Sequence, residues 1–367
     1  MGNIFVSIFL INTSSNVLNA LLYNLFIAIT ILAGFFILGP FSEKHKKLGI
    51  VLCNILNCIL YGGILFLGER SGNFVWILGL ISGLAQGFYW LSINILLIDL
   101  IKEEDRKGYN SLVGIINSLS TMIGPIISAA IISRFIDIKG YLVLFAVILV
   151  IIVITLILTF FIKDPPSGQV RFSLKKTYAA LDLNEFNIVM KITWKSMFRD
   201  GVIAFLLNIL IYDITKSEMM LGWFTAFMTV VSIITFWIAG KTKVEIKKLY
   251  ILGVIFQIIS VVILTMYFKN IYSILIYLII YGIASPLNTL SYGVMVQNSI
   301  SRADKAGEYR CELSCLKEVW IGVGRITAII FIILLYYKVS DFSLIWIYGI
   351  LAAVISALSL KDIRKLE

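Results

Sequence analysis

Apolar residues in this chain come in long unbroken blocks, with polar residues confined largely to the gaps between them. The blocks fall at residues 17–38, 48–67, 74–101, 111–132, 141–162, 197–214, 220–240, 249–268, 271–296, 311–337 and 342–360. A run of about 20 apolar residues, rising 1.5 Å each, crosses a hydrocarbon core of roughly 30 Å. The pattern predicts an all-α polytopic membrane protein with about 11 full spans. Ten-residue alternation, the mark of an outer-membrane barrel, is missing. A short apolar stub at residues 4–11 comes first, followed by the polar turn Asn12-Thr13-Ser14-Ser15-Asn16. The stub is too short to span, and no basic segment ahead of it marks a cleavable signal peptide.

Composition sharpens this reading. The 367 residues are 60% hydrophobic and 14% charged, with mean hydropathy +0.97, against about 45–50% apolar and 25% charged in soluble domains. The net charge of +10 is a matter of topology. Twenty-four Lys and Arg residues fall on one set of alternate loops, six on the other set, and Arg325 lies inside a span. By the positive-inside rule the richer side, which includes the C-terminus, is cytoplasmic. The expected location is the cytoplasmic membrane, with lipid and not nucleic acid as surroundings.

Cys53, Cys58, Cys311 and Cys315 show no disulfide framework and no C-x-x-C metal spacing. The one histidine, His45, sits in a basic loop, so histidine-dependent catalysis and metal ligation lack their central residue within the spans. No metal or cofactor is expected. Gly240-Lys241-Thr242 mimics the end of a P-loop, but Thr235 stands where its first glycine belongs and no strand precedes it.

A repeat organises the spans. Gly39, the Lys46-Lys47 pair and Leu48 recur as Gly240, Lys247-Lys248 and Leu249, an offset of 201 residues. A second echo sets Asp105-Arg106-Lys107-Gly108-Tyr109 against Asp304-Lys305-Ala306-Gly307-Glu308-Tyr309. The boundaries follow: an N-terminal bundle at 1–162, a basic amphipathic cytoplasmic linker at 163–199 containing Pro165-Pro166, and a C-terminal bundle at 200–367. The offset puts the start of the first span before Met1, so the first helix is read as incomplete.

Two such repeats joined by a long cytoplasmic linker resemble the major facilitator superfamily. The resemblance covers essentially the whole chain, and its motifs are degraded. The family's loop motif G-x-x-x-D-R-x-G-R-R appears as Gly39, Glu43, Lys44 and Lys47, with Lys46 replacing the second glycine. The resemblance implies a gating role for these residues, with Asp99 as a charge partner; the alternative is an ordinary basic loop. Ser111, Ser120, Gly124-Pro125, Ser128 and Ala129 are similar to a motif of proton-coupled exporters, with small residues for most of its glycines. Small residues allow close helix contact, and Pro125 removes a backbone donor and bends the helix.

Polar residues within the spans mark candidate sites. Gly79, Gly83 and Gly87 form a small-x3-small ladder, and Gln86, Trp90 and Asn94 lie within about 60° of the same stripe. In the matching span of the second half, Tyr281, Ser285, Asn288 and Tyr292 share a face beside Pro286. The resemblance implies that these two spans, with Asn208 on another, wall a substrate cavity; interhelical hydrogen bonding is the plainer reading. Glu318 and Arg325 share a face about 10.5 Å apart along one span. A charge there costs at least about 2.5–3.5 kcal/mol, so the pair is a proton-coupling candidate or a static structural pair.

The expectation is therefore a major facilitator fold of two pseudo-symmetric six-helix bundles. It would work as a monomeric secondary transporter, not an enzyme, exporting a small organic or amphipathic solute against protons. An uptake permease for a sugar, nucleoside or peptide-like solute, a lipid-handling protein and a transport-inactive sensor are the alternatives.

Overall fold

The computed structural model describes residues 17–42, 45–135, 138–162, 172–215, 218–266, 271–338 and 343–366, with Val6, Phe9, Leu10 and Thr13. Among the described residues there are helices and no strand. Eleven helices have 20 residues or more: α1 Val17–Ser42, α2 Leu48–Leu67, α3 Val75–Leu100, α4 Arg106–Ile132, α5 Lys139–Thr159, α7 Asn184–Thr215, α8 Glu218–Lys241, α9 Ile246–Met266, α10 Ile271–Ala303, α11 Arg310–Lys338 and α12 Ser343–Ile363. The short helix α6, Leu174–Ala180, lies between α5 and α7. Helices close every backbone hydrogen bond within one segment, which apolar surroundings demand.

Helix α7 begins 13 residues ahead of its predicted span at 197. The sequence between is amphipathic: Phe186, Val189, Met190 and Thr193 are buried while Lys191 is exposed. That buried face carries the helix on past the apolar run.

The chain divides into two compact units, each made of three chain segments. One unit comprises Met1–Leu100, Ile123–Ala180 and Asp304–Glu318; the other comprises Ile101–Met122, Leu181–Ala303 and Val319–Glu367. Helices α4 and α11 are thus each divided between the units.

In the first unit α1 packs against α3, α2 against α3, and α2 against α5. The glycine ladder makes the first pairing possible. A Cβ on Gly79 would lie 2.9 Å from the Tyr23 carbonyl oxygen, one on Gly83 2.6 Å from that of Ile27, and one on Gly87 3.0 Å from the Gly34 Cα. Of the N-terminal stub, Val6, Phe9 and Leu10 are described, and all three are fully buried with Tyr23, Leu60, Tyr61, Ile64 and Phe145. Phe9 meets Phe145 edge-on, with ring centroids 5.2 Å apart.

The second unit uses corresponding pairings: α8 with α10, α9 with α10, and α9 with α12. Helix α7 also packs against α12 and α10. The recurrence follows the 201-residue repeat, and so do its glycines. A Cβ on Gly39 would strike the Phe172 ring at 2.7 Å, and one on Gly240 would strike the Ser111 side chain at 2.5 Å. Each repeated glycine admits a neighbour that a larger residue would exclude.

Candidate functional site

The loop after α1 was expected to carry a gating cluster. Glu43 and Lys44 lie outside the described residues. Lys46 is buried, and its Nζ donates to Asp99 Oδ2 at 2.6 Å. Arg310, at the start of α11, pairs with the other carboxylate oxygen of Asp99. Lys47 reaches the carbonyls of Ile162 at 3.2 Å and Phe160 at 3.5 Å, beyond the end of α5. Asp99 is therefore held between two cations. One is the Lys46 that replaces a motif glycine; the other, Arg310, was visible before only as part of the charge count.

The polar face of α3 opens on a cleft of about 670 Å3 bounded by α2, α3 and α5. Gln86 and Trp90 line it, with Asn54 and Asn57 from α2 and Thr155 and Thr159 from α5. Asn54 accepts from Thr155 Oγ1 at 3.1 Å and donates to Thr159 Oγ1 at 3.3 Å. Gln86 Nε2 bonds back to Ser82 at 3.4 Å, and Trp90, 48% exposed, meets Tyr89 edge-on. Asn94 is half-buried farther along α3.

The α10 face lies in the second unit. Ser285, Asn288 and Tyr292 line a pocket of about 140 Å3, together with Ser196, Arg199 and Asp200 of α7 and Gln257 of α9. Tyr281 lies one turn along, hydrogen-bonded to Ser285 and stacked on Tyr277 with centroids 5.3 Å apart. Asn288 Nδ2 donates to Gln257 Oε1 at 2.5 Å. Asn208 lies on α7, and its side chain is outside the described residues.

Of the pocket residues that escaped sequence reasoning, two are charged, Arg199 and Asp200. Arg199 was counted among the linker cations, yet it is 2% exposed, and its Nε donates to the half-exposed Asp200 at 2.9 Å. The signal was available, because Arg199 stands two residues inside the apolar run at 197–214.

Glu318 is buried and Arg325 is exposed; among the described residues neither enters an ion pair. On α4, Ser111 donates to the Phe236 carbonyl at 2.5 Å, Gly124 is half-buried and Pro125 is exposed. The small-residue positions of α4 thus begin with a tight contact to α8. Among the described residues no cluster of His, Cys, Asp or Glu has metal-binding geometry.

The sequence profile of the Major Facilitator Superfamily matches residues 2–239. A Bacillus subtilis (strain 168) protein, YqgE, is 27% identical over 340 residues, covering 91% of this chain and 78% of that protein. The Escherichia coli fucose:proton symporter FucP has a similar structure, with TM-score 0.76 and 14% identity over 100% of this chain and 95% of that one. A bacterial homologue of the iron transporter ferroportin, in an outward-facing state, gives TM-score 0.73 and 14% identity over 100% and 94%.

Proposed function

The chain belongs to the major facilitator superfamily of secondary transporters and is not an enzyme, and from that premise we propose that it exports a small organic solute in exchange for protons. It would act as a monomer in the cytoplasmic membrane of a bacterium, with its C-terminus in the cytoplasm, as the loop charges imply. The observation that carries the reading is the convergence of Ser285, Asn288 and Tyr292 with the buried Arg199 around one pocket of the second unit. Charged and hydrogen-bonding groups inside apolar helices are costly and persist mainly where they serve a solute or a proton path. Alternating access would expose such a site to each side of the membrane in turn. The small residues of α4 and Pro125 favour export through their likeness to exporter motifs.

Glu318 is the proposed proton carrier, as a carboxyl buried on α11.

The cleft at Gln86 and Trp90 favours a second reading. Its amides, hydroxyls and indole suit a neutral polyhydroxylated solute, taken up with protons.

Proteoliposomes with an imposed pH gradient test both readings. Labelled organic solutes should move against the proton flow, and collapsing the gradient should stop them. Solute movement with the proton flow would replace export by uptake. Movement indifferent to the gradient would reject proton coupling.

A further inference from the structure

The pocket on α10 contains an arginine that its own protein leaves incompletely paired. Arg199 is 2% exposed, and of its five N–H donors the Nε bond to Asp200 is matched by a partner, whereas its buried Nη1 meets none. A guanidinium cannot shed its charge, so a buried one needs acceptors on its outer nitrogens. Asp200 does not close around it: that carboxylate is 45% exposed and lies against Nε. The pocket instead gathers further donors near Arg199, in the Ser285, Thr289 and Tyr292 hydroxyls and the Gln257 amide. Gln257 and Ser285 stand well inside α9 and α10, so the cation lies deep between apolar helices.

We infer that this pocket receives a carboxylate, with Arg199 as the anchoring cation, and that the solute is a small organic acid. The inference rests on the reading of the α10 face as a solute site. A carboxylate supplies two coplanar oxygens that match the guanidinium fork, and it brings the countercharge Asp200 only partly provides. The volume of about 140 Å3 suits an acid head group with a short body. Several waters, each taking about 30 Å3 in the liquid, would also fit there. Water would satisfy Nη1 without discriminating between an acid and its amide, which gives the test its contrast.

The full-length protein in detergent is titrated with sodium benzoate, benzamide, sodium acetate, acetamide and sodium phosphate at matched ionic strength, with thermal unfolding as the readout. Benzoate or acetate should raise the unfolding temperature saturably while the matching amide leaves it unchanged. Arg199→Gln should erase that shift, and Arg199→Lys should keep a weaker one, because a point charge lacks the fork. Asp200→Asn guards against a variant that fails to fold. Asp200 is partly exposed, and freeing Nε from it should tighten benzoate binding. Equal shifts from acid and amide, no shift from either acid, stabilisation by phosphate alone, a benzoate shift that survives Arg199→Gln, or weaker binding in Asp200→Asn would each overturn the carboxylate site. Acid-specific binding without gradient-driven transport would reject proton-coupled export and leave this site standing. Gradient-driven transport of neutral solutes without acid-specific binding would reject this site alone.

Discussion

Lys46 Nζ sits 2.6 Å from Asp99 Oδ2, with both side chains less than a tenth exposed. The lysine comes from the loop after α1, the aspartate from the end of α3, and Arg310 of α11 completes the cluster on the other oxygen. Two cations on one buried carboxylate make the partners unequal. Asp99 answers for both, while either cation alone still leaves it paired.

Asp99→Asn should therefore destabilise more than Lys46→Met. The first removes the carboxylate that both cations share, and breaking a buried pair costs about 3–5 kcal/mol. The second leaves Asp99 with Arg310 and should cost visibly less. Thermal unfolding in detergent checks the order; equal losses would show that Arg310 does not hold Asp99.

Two glycines make a matched comparison. At Gly83 of α3 an added methyl would meet the Ile27 carbonyl at 2.6 Å, whereas nothing lies within 4 Å of one at Gly62 in α2. Gly83→Ala should cost about 1–3 kcal/mol through overpacking. Gly62→Ala should be neutral or stabilise by up to about 1 kcal/mol, because alanine loses less backbone entropy. Similar unfolding temperatures for the two variants would contradict the close approach of α1 and α3.

Proton coupling is tested at Glu318. Glu318→Gln keeps size and polarity but cannot release a proton, so transport driven by a pH gradient should vanish while solute exchange survives. Normal gradient-driven transport in this variant would move the coupling site elsewhere. Arg325→Lys should be tolerated if charge alone matters there and poorly tolerated if the planar fork is used.

The loop before α11 offers a pH signature. Asp304 accepts the backbone N–H groups of Gly307, Glu308 and Tyr309 at 2.8–3.0 Å, around a glycine at φ +79°. Burial pushes its carboxyl above the usual range against those bonds. A raised acid contributes stability below its unfolded value, near pH ~4, and loses it as pH climbs through the folded one. The stability advantage over Asp304→Asn should therefore shrink from acid toward neutral pH. An advantage that grows over this interval would show that the three N–H bonds outweigh burial.

Much of the fold is legible in the amino-acid order. Helix type and approximate span number follow from apolar runs, because lipid offers no partner for an open backbone. The 201-residue echo pointed to a repeat whose pairings recur as α1–α3 and α8–α10, and the spacing of Gly79, Gly83 and Gly87 marked a close helix contact. These are local properties, written at fixed intervals along one helix or one offset.

Most pairings between distant segments were not legible. The resemblance implied Asp99 as a charge partner of the loop after α1, but Arg310 stands 211 positions beyond Asp99, and nothing in a charge count tells which further cation shares that carboxylate. Arg199 looked like one more basic residue of the linker, because the start of α7 at Asn184 was hidden by an amphipathic rather than apolar pattern. Burial is a property of what packs around a residue. Only the tertiary structure, by laying α9 and α10 against α7, decided that this arginine is a buried charge beside a pocket and not a solvated one.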